Sequence, residues 1–130
     1  MRLLRLLLLL AATCWSCLPT VAAELLMVRR DGCPWCQAWD RDIGPVYNNS
    51  DLGRRAPIRM MDIGQQQARA TLKTPVIYTP TFVLVEHDSE IGRIEGYPGE
   101  DFFWSLLERL LLQLPLPATD GLSVAPSKMN

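Results

Sequence analysis

The spacing of apolar residues along this chain changes several times, and each change marks an element. Glu24 to Arg29 is apolar through its middle and has the length of a buried strand, and Asp31-Gly32 supplies a turn after it. Beyond the turn, Cys36, Trp39, Ile43 and Tyr47 recur at spacings of three and four, while Gln37, Asp40 and Arg41 fall off that face. This predicts a helix with Pro34 at its first position and Cys33 as its N-cap. Gly44-Pro45 bends or ends it, and Asn48 to Arg55 reads as a polar loop.

The pattern then repeats with variation. Ile58 to Ile63 reads as a second strand and Gln65 to Lys73 as a short helix. Thr79-Pro80-Thr81 leads into Phe82-Val83-Leu84-Val85, a run too apolar to be exposed on either side, which predicts a central strand. His87-Asp88-Ser89 makes a turn, and Glu90 to Glu95 returns as a hairpin strand that Gly96, Pro98 and Gly99 break. In the closing helix, Glu100 and Asp101 occupy the first turn, and Phe103, Leu106, Leu107, Leu110 and Leu114 form one stripe that Pro115 stops. The order βαβα-ββα predicts an α/β domain over residues 24 to 114: a right-handed βαβ unit with an antiparallel hairpin in the same sheet, mixed and four-stranded, flanked by helices.

The ends carry other signals. Arg2 and Arg5 precede an apolar stretch around Leu6 to Ala12, and Val21-Ala22-Ala23 has small residues at cleavage spacing, so residues 1 to 23 read as a secretory signal peptide. That stretch is shorter than the roughly 18 to 20 apolar residues of a membrane-spanning helix, which disfavours an uncleaved anchor. Residues 115 to 130, with Pro117, Gly121 and Pro126, read as a flexible tail. The formal net charge of −1 becomes more acidic once Arg2 and Arg5 leave, and the remaining basic residues are scattered, which excludes a nucleic-acid partner. Of the four cysteines, Cys14 and Cys17 lie in the leader. The exported domain would therefore hold only Cys33 and Cys36, in an oxidising compartment.

Two thiols three positions apart at the start of a helix can close a disulfide and reopen it, which is the working part of a dithiol exchange protein. Haem attachment needs a histidine where Gln37 stands, and Cys33, Cys36 and His87 are too few for a structural zinc site. A purely structural disulfide is disfavoured because so small a ring constrains little chain entropy. No cofactor and no metal is expected. His87, between Glu86 and Asp88, reads as a solvated turn residue.

Cys33-Pro34-Trp35-Cys36 opening a helix, Thr79-Pro80 before a central strand and Gly96 after the hairpin together resemble the thioredoxin superfamily. The run CPWCQAWDRDIGPVY and the small size resemble in particular the periplasmic thioredoxins of bacterial sulfur-oxidation systems, the SoxS type. The resemblance implies catalytic roles for Cys33 and Cys36. Cys33, exposed and facing the positive end of the helix, would be the nucleophile, and Cys36, buried one turn in, would resolve the mixed disulfide. Arg29 and Arg30 would add to the thiolate stabilisation, opposed by Asp31.

The resemblance also implies substrate-positioning roles for Pro80, in a cis bond after Thr79, and for Thr79, Pro34 and Trp35; Pro75 is a rival for the cis proline. Departures are visible too. Gly32 stands where many thioredoxins have an aromatic residue, and Met27 where they have a buried acid. The function implied is reduction of disulfides or oxidised cysteines on partner proteins by a periplasmic monomer. Its partners would include a membrane thiol-electron donor and the sulfur-carrier protein of a sulfur-oxidation system. The alternative is a redox-sensing binding protein whose dithiol switches partner affinity without turnover.

Overall fold

The computed structural model describes residues 23–68 and 72–115. Residues 1 to 22 of the expected leader and 116 to 130 of the expected tail lie outside these residues, as do 69 to 71 of the helix expected over Gln65 to Lys73. The elements are β1 (Glu24–Arg29), α1 (Pro34–Asp42), α2 (Gly44–Tyr47), α3 (Asp51–Arg55), β2 (Ile58–Asp62), a 3-10 helix (Ile63–Ala68), β3 (Thr81–Glu86), β4 (Ser89–Glu95) and α4 (Glu100–Leu111). The sheet order is β2-β1-β3-β4. β1 and β2 run parallel, and the other pairs are antiparallel.

β1 and β3 are interior strands, which is why both read as unbroken apolar runs. Successive side chains point to opposite faces, so each strand feeds two cores. Leu25, Met27, Phe82 and Leu84 pack with Cys36, Trp39, Ile43, Tyr47, Phe103 and Leu107. Leu26, Val28, Val83 and Val85 pack with Met61 and Val76 on the other face. The first core is aromatic at its centre, where Phe103 lies 4.8 Å from Phe82 and 5.9 Å from Trp39, ring centre to ring centre. These rings meet edge-on or tilted, as the ring quadrupoles favour.

Tyr47 donates its hydroxyl to the Ala56 carbonyl at 2.8 Å, and burial pushes its ionisation up. Tyr97 donates to Asp42 at 3.1 Å; burial and then Asp42 push its pKa up to about 12. Within the hairpin, His87 and Asp88 both have positive φ, a two-residue turn whose twist matches the strands it joins.

Two local expectations need correction. Asn48 to Arg55 is not simply a loop: Asp51–Arg55 forms the short helix α3, capped by Ser50 Oγ accepting from Gly53 N–H at 2.9 Å. The cap is local, and the main-chain bonds Arg54 N–H to Ser50 and Ala56 N–H to Leu52 close the turn behind it, so the polar composition that reads as a loop conceals a short helix. The helix expected from Gln65 begins earlier, at Ile63, and is 3-10. It opens directly from β2 as a short connector, where 3-10 geometry is common. Among the described residues, no helix is long and apolar enough to cross a membrane.

Candidate active site

Everything at the site hangs on how α1 begins. Gly32 takes φ +68, a conformation open to glycine, and this turns the chain off the end of β1 so that Cys33 can cap α1 in extended geometry. Pro34 follows at the start of the helix, exposed, where its missing N–H costs nothing. Trp35 next to it is 63% exposed, whereas Trp39, one turn on, is buried in the core.

Cys33 and Cys36 are joined as a disulfide, with Cα atoms 5.3 Å apart. The Cys36 N–H donates to Cys33 Sγ at 3.1 Å. That bond and the unpaired N–H groups of the first turn favour negative charge on this sulfur when the pair is reduced. Cys33 is less open than the sequence led us to expect. It is 3% exposed and Cys36 fully buried, because in the closed disulfide Cys33 is tucked under a neighbouring loop.

That loop is the one carrying Thr79 and Pro80. Its Thr79–Pro80 bond is cis, and no other cis bond occurs among the described residues, so Pro75 is not the cis proline. The Thr79 carbonyl oxygen lies 3.4 Å from Cys33 Sγ. Pro80 is buried, and its carbonyl accepts from Gly96 N–H at 2.7 Å, which ties the loop to the end of β4. The four residues Cys33, Cys36, Thr79 and Pro80 thus come together, while Pro34 and Trp35 form the exposed lip beside them. Ile77 and Tyr78, which precede Thr79 on the loop, are 73% and 64% exposed. Sequence reasoning passed over both, since no periodic pattern distinguishes an exposed apolar loop residue from a strand residue.

The electrostatics differ from expectation at one point. Arg29 is not free to act on Cys33, because it donates to both carboxylate oxygens of Asp40, at 2.9 and 2.7 Å. The hydrogen bond to Asp40 raises its pKa, against a smaller opposing effect of burial. Around Cys36 the core is apolar. Met27, from β1, belongs to the same buried apolar cluster. Among the described residues no group of three or more His, Cys, Asp or Glu gathers in a way that could hold a metal ion.

A disulfide of this kind can accept two electrons or, once reduced, donate them to another disulfide. Comparison with solved structures agrees with that chemistry. The chain is 44% identical to the periplasmic thioredoxin SoxS from Paracoccus pantotrophus in its reduced form, covering 72% of this chain and 99% of that one, with a TM-score of 0.64. A thioredoxin from Thermus thermophilus (24% identity, 71% and 75% covered, TM-score 0.55) shares the fold. So does Trxlp from Edwardsiella tarda (23% identity, 68% and 84% covered, TM-score 0.54). No protein-family model and no curated protein sequence matches the chain.

Proposed function

The chain belongs to the thioredoxin superfamily and is a thiol-disulfide oxidoreductase, and from this premise we propose that it works in the periplasm as a reductant of oxidised cysteines on partner proteins. The observation carrying the proposal is the Cys33–Cys36 disulfide at the start of α1 with the Thr79 carbonyl 3.4 Å from Cys33 Sγ. In the reduced protein the Cys33 thiolate attacks one sulfur of a partner disulfide. A Cys33–partner bond forms and the second partner sulfur leaves as a thiolate. Cys36 then attacks Cys33 Sγ, re-forming the internal disulfide and releasing the first partner sulfur as a thiol. Two electrons pass to the partner, and an external dithiol restores the starting state.

Thr79 and Pro80 act here by presenting main chain to the incoming segment, and Pro34 and Trp35 by shaping the lip it crosses. The likeness to a periplasmic thioredoxin of the SoxS type supports a sulfur-carrier protein as the target and a membrane thiol donor as the supply. Residues 1 to 23 serve as the export signal, so the working protein starts at Glu24. Intact mass of the periplasmic species checks this; a membrane-bound form that still begins at Met1 refutes it.

The test of the exchange cycle is a Cys36→Ser variant incubated with periplasmic extract. Mixed disulfides should accumulate on Cys33 and vanish in the Cys33→Ser/Cys36→Ser double variant. Absence of any dithiothreitol-sensitive adduct on the single variant would contradict the proposal.

A further inference from the structure

The loop that reaches the disulfide is held at its base by side chains from two distant elements. Gln66, in the 3-10 helix, accepts from Val76 N–H through Oε1 at 2.5 Å and donates from Nε2 to the Val76 carbonyl at 3.1 Å. One amide therefore satisfies both main-chain groups of Val76. Glu90 accepts from Lys73 N–H at 2.8 Å, and Arg93 donates to the Thr74 carbonyl at 2.9 Å. Glu90 and Arg93 are joined to each other by two hydrogen bonds of 2.7 Å.

A strand irregularity makes this possible. In a regular strand, residues three apart point to opposite faces. Here Val85 pairs with Glu90 but Leu84 pairs with Gly92, so Ile91 is an extra residue. The bulge turns Glu90 onto the face it shares with Arg93, toward the loop, while Ile91 packs against the aromatic core. Burial pushes the Glu90 carboxyl up, but the hydrogen bonds from Arg93 and the Lys73 amide outweigh it, holding the group below its ordinary value and charged at neutral pH.

The far end of the loop is fixed as well, by Thr81 Oγ1 donating to the Tyr78 carbonyl at 2.7 Å and by the Gly96 bond to Pro80. Between the two anchored ends, Ile77 and Tyr78 project into solvent and Thr79 meets Cys33. Large apolar side chains fixed in advance lose less entropy when a partner covers them.

We infer that Gln66, Glu90 and Arg93 are positioning residues for partner binding: they pre-order the edge Ile77-Tyr78-Thr79 so that a protein disulfide meets a ready surface beside Cys33. The inference rests on the reading that Cys33 exchanges with protein partners. None of the hydrogen bonds made by the three side chains reaches Cys33 or Cys36, so the sulfur chemistry itself should not depend on them.

The experiment compares Gln66→Ala and Glu90→Gln with the wild type, using insulin as a protein disulfide and 5,5′-dithiobis(2-nitrobenzoate) as a small one. If about a tenth of the loop population remains competent, KM for insulin rises about tenfold while kcat stays within about twofold. The rate with the small disulfide stays at the wild-type level, and the Val76 and Lys73 amides exchange hydrogen faster. Gln66 is half-buried at the surface; if Gln66→Ala does not fold, Glu90→Gln carries the comparison. An unchanged KM for insulin with the amides released overturns the inference, as does an equal loss with both disulfides. A wild type that reduces the small disulfide but not insulin refutes the protein-partner reading instead, and the inference with it.

Discussion

Arg29, at the end of β1, is bound to Asp40 on α1 through two hydrogen bonds of 2.9 and 2.7 Å, and both side chains are partly exposed. The pairing ties the strand to the helix that carries the cysteines and neutralises a charge that the sequence alone would assign to Cys33. Replacing the pair together, as Arg29→Met/Asp40→Leu, should therefore move the thiol pKa of Cys33 by less than about half a unit, since each full unit represents about 1.36 kcal/mol of differential interaction. The pH dependence of alkylation of the reduced protein reads this directly. A rise of about one unit or more would mean that Arg29 acts on the thiolate despite its partner.

Gly53 in α3 has no room for a side chain. A Cβ there would lie 1.9 Å from the Tyr47 carbonyl oxygen and 2.7 Å from its carbon, and both are backbone atoms that cannot swing aside. Gly53→Ala should cost about 3 kcal/mol or more, since α3 must separate from α2 to admit the methyl group. For a domain of this size that lowers Tm by more than about 10 °C. A thermal melt within a few degrees of wild type would show that the helices separate freely.

Gly32 is a different case, because a Cβ there would meet nothing within 4 Å, yet φ is +68. Substitution is limited by backbone strain and not by contact. Gly32→Ala should cost about 1 kcal/mol, and Gly32→Asn less, because asparagine tolerates the left-handed region. Urea midpoints order the three proteins. An aromatic residue here, common in related thioredoxins, would need a different turn before the first cysteine.

Much of the site was readable from residues whose constraints are local. The cap of α1 follows from Cys33-Pro34, its inward face from the spacing of Cys36 and Trp39, which Ile43 at its C-cap and Tyr47 in α2 continue, and the interior place of β3 from its unbroken apolar run. What escaped depends on contacts between distant segments. Gln66 reaches Val76, and Glu90 reaches Lys73 only because the extra residue Ile91 reverses its face. Likewise, nothing near Arg29 in sequence reveals Asp40 as its partner, which only the packing of α1 on β1 brings within reach.

The redox potential follows partly from the same contacts. Whatever stabilises the Cys33 thiolate favours the reduced form and makes the protein more oxidising. The Cys36 N–H and the helix end do so here, but the charge of Arg29 is taken by Asp40. The potential should lie nearer the roughly −270 mV of thioredoxin than the roughly −120 mV of the strongest oxidant in the superfamily. Equilibration of the Cys33–Cys36 pair with glutathione buffers measures it, and a value within about 30 mV of the strong oxidant would defeat the reductant reading.

On the proposed function the dithiol turns over as a reductant of protein disulfides and does not merely switch a binding surface. Reduction of insulin in the presence of dithiothreitol tests it most directly. Many turnovers per molecule are expected for the wild type and none above the dithiothreitol background for Cys33→Ser. A wild type that forms one equivalent of mixed disulfide and then stops, or a Cys33→Ser variant that keeps the wild-type rate, would contradict it.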